Sequence, residues 1–323
     1  MSPAELGATI ASASGVLFAA LGLYLVLELL LLHFRHRRLR LREARASGLG
    51  VLSGIVASAA VTLAFGTLTV GVAAVAGASL SPIEGGLSWP WWVYGWIVYE
   101  FWYWVQHWAA HKVRLLWCIH APHHAPGSIH MLVGTNRHFL ELVFYFPLFF
   151  GFVPALMGVH PLVCVGLNLV DGIWGSFLHI SDELVPRGRY GPLERFLQTP
   201  SYHRVHHAKN ARYMDTNYNS ITLLWDWLLG TLQPLRDDDP VRYGITRELD
   251  TGSFWDLHFG EFRALGRDLR TARGVGDRLA VLLMPPGWSP DGSGRTVADA
   301  KRELAASEAG YSSRNATKAA TRP

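Results

Sequence analysis

Cysteine is nearly absent from this chain. Cys118 and Cys164 are the only two in 323 residues, and they do not form a CxxC pair. That excludes a disulfide framework and a cysteine-based metal site, and leaves Cys118 as a small core residue, not a nucleophile. Charge is scarce too, at 17% of residues against about 25% in an average soluble protein. The net charge is +4, and its basic residues bunch in "HFRHRRLRLREAR" (33–45), directly after an apolar run. A basic cluster in that place is a juxtamembrane anchor, not a nucleic-acid patch. There is no GxGxxG after a strand, no cytochrome-type haem signature and no internal repeat of domain size. The chain therefore carries no recognisable electron-transfer cofactor of its own.

What is present is hydrophobic. Half of the residues are apolar and 13 are tryptophan. "SGVLFAALGLYLVLELLLL" (14–32) is long enough to span a bilayer core of about 30 Å. Its single charge is Glu28. Basic residues follow this run instead of preceding it, and no small-residue cleavage site is evident, so it reads as a spanning helix and not a signal peptide. Residues 50–80 form a second apolar stretch, rich in Gly, Ala and Val, as suits close helix contact in a membrane. "LSWPWWVYGWIVYEFWYWVQ" (87–106) is a third and holds six tryptophans, an interfacial aromatic belt by composition. Residues 139–178, broken near Pro154 and Gly158 to Pro161, read as a hairpin that crosses and returns. The fold class is thus all-α: an integral-membrane helical bundle of about four to five spanning segments with a cytosolic helical domain. The boundaries expected are 1–90 for N-terminal transmembrane helices, 91–235 for a catalytic core including the hairpin, 236–290 for a C-terminal cytosolic helical extension, and 291–323 for a disordered tail. "FWDLHFGEFRALGRDLRTAR" (254–273) has helical periodicity and predicts a surface helix of that extension.

Histidine is the unusual residue. "HWAAH" places His107 and His111 four apart, on one helical face. "HAPHH" holds His120, His123 and His124, and "HRVHH" holds His203, His206 and His207. Pro122 predicts that His120 sits just before a helix whose first turn contains the proline. His33, His36, His130, His160 and His258 are isolated and read as surface or core residues. The eight clustered histidines cannot be read so. All fall at the membrane face that the hydropathy map assigns to the cytosol, and eight buried imidazoles without partners are costly. Neutral imidazole is a good ligand for iron, zinc and copper. Eight ligands exceed the four of a tetrahedral ion and fit two ions with open positions. The nitrogen-only ligand set does not by itself select iron.

In their order and spacing the three boxes resemble the fatty acid hydroxylase/sterol desaturase superfamily of integral-membrane enzymes. The most specific stretch is "TPSYHRVHHAKNARYMDTNYNSITLLWDWLLGT" (199–231), supported by "NRHFLE" (136–141) and "FLH" ending at His179. The likeness covers roughly 93–235. It implies a non-haem centre of two iron ions that activates O2 at the cytosolic face and hydroxylates or desaturates an unactivated C–H bond of a lipid. It implies His107, His111, His120, His123, His124, His203, His206 and His207 as iron ligands, with His179 a ninth. His138 is implied as a further ligand or a donor behind one. Asp226 is a candidate to orient an imidazole or to cap local structure, and Asn217 belongs to the same signature. Two positions depart from the pattern. Trp108 stands where the first box usually has arginine. Lys112 stands where the pterin-dependent ether-lipid branch has glutamate, which argues against a pterin.

The implied partners are a lipid in the membrane and a separate electron donor, a ferredoxin or cytochrome system with its reductase. The Ala-, Gly- and Arg-rich composition points to a bacterial inner membrane. Two other classes use the same ligands: a membrane zinc-dependent hydrolase or isomerase, and a non-enzymatic metal-binding membrane protein. A transporter would place its ligands near mid-membrane, and haem needs only one or two axial histidines.

Overall fold

The computed structural model describes residues 2–65 and 69–320. Among them the chain is all helical, with only isolated bridges at Leu197–Thr222 and Ala208–Tyr243. Helix α1 (Pro3–Leu30) begins well before the expected residue 14, because Ser2 and Glu5 form a reciprocal capping box and Pro3 takes the first turn. It runs on through a wider turn at Leu31–Arg35. Val16, Phe18 and Leu23 are exposed along it, an apolar surface of the kind a bilayer covers. The expected second stretch is two helices, α2 (Leu41–Phe65) and α3 (Thr69–Leu80). Helix α3 lies against α7 (Glu141–Leu156). Gly77 permits this, since a β-carbon there would fall 2.2 Å from the Phe152 carbonyl oxygen. The Gly/Ala composition of α3 is therefore spent on close backbone approach.

Helix α4 (Trp89–Lys112) carries the aromatic run. The hairpin is formed by α7 and α8 (Pro161–Leu178), and Gly158 turns between them at φ +87°. Tyr99 and Val98 of α4 pack with Phe150 of α7 and with Val163, Cys164 and Leu167 of α8 in the main apolar core. By length and hydropathy, Pro3–Arg35 and Pro161–Leu178 are the two described helices able to cross a membrane. The expectation of four to five is met only to that extent: α7 and the Val70–Leu80 stretch are apolar but shorter.

Helix α5 (Arg114–His124) corrects the reading of Pro122. The proline lies in the last turn of the helix, and His120 lies inside it. The residues before it form the helix and bury Cys118 and Ile119. A proline this close to the end sacrifices one donor, while Ala125 N–H still closes the turn on the Ala121 carbonyl. After the short α6 (Met131–Thr135), the remaining elements are α9 (Pro200–His206), α10 (Leu224–Leu228), α11 (Phe254–Thr271), α12 (Gly274–Leu283) and α13 (Val297–Ala320). Helix α11 packs on α5 and on α2, burying Leu257, Ala264 and Leu265 and leaving Trp255 outside. The tail expected to be disordered instead carries α13. Thr296 and Asp299 cap it reciprocally: each side chain accepts from the other's backbone N–H.

Candidate metal centre

Four helix ends converge at one place. Helix α4 delivers His107 and His111 from its last two turns, and α5 delivers His120, His123 and His124. Helix α8 delivers His179 at its C-cap, and α9 delivers His203, His206 and, at its C-cap, His207. All nine are buried. They sort into two groups whose ligand nitrogens lie within 4.8 Å of one another: His107, His111, His120, His124 and His206 in one, His123, His179, His203 and His207 in the other. Adjacent histidines in the second and third boxes part company. His123 and His124 face different groups, as do His206 and His207, because neighbours on a helix point about 100° apart.

The tautomers are set from behind. His107 Nδ1 donates to the Tyr218 carbonyl (2.7 Å) and His123 Nδ1 to the Val133 carbonyl (3.1 Å). His179 Nδ1 donates to the Gly175 carbonyl (2.6 Å) and His206 Nδ1 to the Thr216 carbonyl (2.8 Å). A carbonyl only accepts, so each of these Nδ1 atoms carries the proton. Each Nε2 is then a bare lone pair. Yet His123 and His179 bring Nε2 atoms to 3.3 Å, and His107 Nε2 lies 3.1 Å from His120 Nε2. Lone pairs so placed repel unless a cation lies between them. Metal–imidazole bonds of about 2.0–2.1 Å put neighbouring ligand nitrogens roughly 3 Å apart. The donor set fits one ion per group. His111 Nε2 and His206 Nε2 have no hydrogen-bond partner at all, as befits ligands.

Burial pushes His124, His203 and His207 well below the ordinary imidazole range, and the neighbouring imidazoles push further the same way. His179 is pushed down by burial to about 3. These four imidazoles are therefore neutral, ready ligands.

Among the described residues, carboxylates meet imidazoles directly in the five-histidine group. Glu141 accepts from His120 Nδ1 (2.9 Å) and from Arg137 (3.1 Å). Asp215 approaches His111 Nδ1 at 3.5 Å and pairs with Lys112. Burial opposes ionisation of Asp215, but His111 and Lys112 outweigh it and hold its carboxyl below the usual range. Both acids lie in quoted family segments, yet spacing gives no sign that they reach imidazoles.

Three candidates fall outside the groups. His138 is fully buried against Phe259 and Phe262, and its Nδ1 accepts from Leu140 N–H. It lies outside both groups, just before α7 and against α11. Asp226 touches no histidine. It accepts from the backbone N–H groups of Tyr218 and Asn219 and from Trp104 and Thr231. It acts one step back, fixing the segment whose Tyr218 carbonyl holds His107. Asn217, at φ +57°, bonds Tyr202 and Gln233 backbone atoms and shapes the turn.

Residues 92–231 match the profile described as Fatty acid hydroxylase. This part of the chain is similar to the fatty acid hydroxylase family. The segment contains every histidine of both groups. The chain is 33% identical over 207 residues to alkylglycerol monooxygenase of Danio rerio, covering 63% of this chain and 43% of the relative. It is 31% identical over 161 residues to the ornithine lipid hydroxylase OlsE of Rhizobium tropici, covering 50% and 47%. It is 31% identical over 147 residues to the very-long-chain aldehyde decarbonylase GL1-6 of Oryza sativa subsp. japonica, covering 43% and 22%. The chain spans less than half the length of these curated relatives. No solved structure matches it significantly. The nine histidines of the two groups come from four helices, α4, α5, α8 and α9.

Proposed function

We propose that this chain is a membrane-bound, non-haem di-iron oxygenase that hydroxylates or desaturates an unactivated C–H bond of a lipid, using O2 and electrons from a separate donor. The observation that carries the reading is the convergence of unprotonated Nε2 atoms in two groups. His107, His111, His120, His124 and His206 hold one ion, and His123, His179, His203 and His207 hold the other. When bound, the iron pair supplies the O2 activation that no side chain here can perform. The protein's part is to hold nine imidazoles together, four of them with Nδ1 fixed on a backbone carbonyl, and to place a lipid carbon near them.

Two spaces support this. A cavity of about 500 Å³ reaches His111, His124 and His206 and is otherwise lined by polar and apolar residues alike, with Val297 and Ala300 of α13 among them. A separate apolar groove of about 450 Å³ lies between Trp92, Val93, Trp96 and Ile97 of α4 and Leu167 and Val170 of α8. Those two helices also carry His107, His111 and His179 at their ends, so a lipid chain held there lies along the elements that position the site. The relatives' names describe oxygen insertion into an alkylglycerol and hydroxylation of an ornithine lipid, which favours a lipid substrate and an oxidative reaction. The two membrane-length helices and the basic flank after the first favour a membrane location with the histidines on the cytosolic side, in a bacterial inner membrane. A ferredoxin or cytochrome system with its reductase is the proposed donor.

The test is metal content and O2 uptake of purified protein, with mass spectrometry of lipids from cells with and without the gene. Two irons per chain, O2 consumption, and a lipid that gains one oxygen atom or loses two hydrogens are expected. Full zinc occupancy with anaerobic turnover points instead to a hydrolase or isomerase and overturns the reading.

A further inference from the structure

Glu28 is the one acid in the α1 apolar run, and it is buried. An ionisable group in a membrane-length helix is costly and is kept for a purpose. Its two carboxylate oxygens reach two separate pieces of the core. One accepts from Met131 N–H at 2.8 Å, the other from Ser181 N–H at 2.8 Å. These partners lie 103 and 153 residues away.

Both pieces belong to the four-histidine group. Met131 opens α6, whose Val133 carbonyl fixes His123 Nδ1. Ser181 follows His179 by two residues. Between them, the Ile180 carbonyl accepts from Arg204 of α9, the helix that bears His203 and His207. Gly134 of α6 lies against the His179 ring, so Glu28 draws together two segments that are already in contact. The five-histidine group is braced otherwise, by Tyr218, Thr216, Asp215 and Glu141. None of these lies on a segment that Glu28 holds.

We propose that Glu28 is a positioning residue for the four-histidine metal site, a clamp by which the N-terminal membrane helix sets the geometry of one ion and not the other. The proposal rests on the two-ion reading above. A carboxylate is required, because only it offers an acceptor at each end; an amide can accept at one and meets the other N–H with a donor. Removing the clamp leaves a buried N–H without a partner.

The experiment compares full-length wild type and Glu28→Gln in detergent or nanodiscs, by iron per chain, Mössbauer spectra of iron-57-loaded protein and backbone hydrogen exchange. The expected result is a fall from two irons to about one and loss of one iron environment. Exchange should quicken in residues 130–134 and 179–184, with no change in 215–222. A Glu28→Gln protein that keeps both irons, or loses both together, overturns the clamp. So does rapid exchange of the Met131 and Ser181 amides in wild type, a measurement that needs no variant. A wild-type protein without two ions would instead sink the di-iron reading itself.

Discussion

Lys112 pairs with Asp215 across 103 residues of sequence, and this pair sits directly behind His111. The lysine that departs from the ether-lipid branch is thus part of the site's own charge balance. Lys112→Glu places a second carboxylate against Asp215, and the buried like charges disfavour the ionised acid that His111 needs. The variant should bind metal more weakly, and its turnover, like that of wild type, should not respond to added tetrahydropterin. Stimulation of wild type by a pterin would refute this.

Asp215→Asn removes the negative charge behind His111 while keeping its shape. Loss of such an outer partner costs about 10–100-fold in metal affinity. Competition titration with a chelator measures it, and the loss should fall on a single ion. An unchanged affinity would mean the 3.5 Å approach has no role in ligation.

His206→Ala removes one of the unpartnered Nε2 atoms of the five-histidine group. Activity should vanish and iron should drop, with expression and helical content near wild type. Wild-type turnover in this variant would remove His206 from the ligand set.

Gly134→Ala would put a β-carbon 2.6 Å from His179 Cγ. The same β-carbon would lie 2.8 Å from His179 Nδ1, which the Gly175 carbonyl holds, so the ring cannot simply retreat. The iron content should fall, with His179's group affected first, as Mössbauer spectra of the loaded protein would show.

The metal-free protein should lose stability on acidification. His179 has a folded value of about 3, below the ordinary unfolded value of about 6.5. Between those limits the unfolded chain binds the proton and the folded chain does not, so stability rises with pH across this window and falls as pH drops through it. Thermal melting of metal-free protein from pH 7 to 4 checks the sign. At pH 7, metal binding should release no proton from His179, which calorimetry in buffers of different ionisation enthalpy can read.

Much of the site was legible because its ligands are of one type and repeat at helical spacing. His107 and His111, or His203 and His207, share a face whatever surrounds the helix. Asp226 and Asn217 were visible as signature residues, but their role was not: both act on backbone N–H and C=O groups, and a sequence does not say which backbone a side chain will meet. His138 shows the opposite failure. Its neighbourhood matches the family, yet the ring turns to Phe259 and Phe262 of α11, an element distant in sequence. Pro122 was misplaced because a proline suits a helix start or tolerates a helix end, and only packing of α5 on α4 and α11 decides between them.

The sequence alone determined the chemistry on offer: eight boxed imidazoles, with His179 added by the family likeness, in a helical chain poor in cysteine and charge and rich in apolar stretches. Periodicity and composition are local, and they suffice for that. The tertiary structure decided how the nine divide, five and four, and which groups stand behind them. That division depends on the angle at which α4, α5, α8 and α9 meet, and on long-range contacts such as Glu28 to Met131 and Ser181. Such contacts are fixed by the packing of whole helices, which no short stretch encodes.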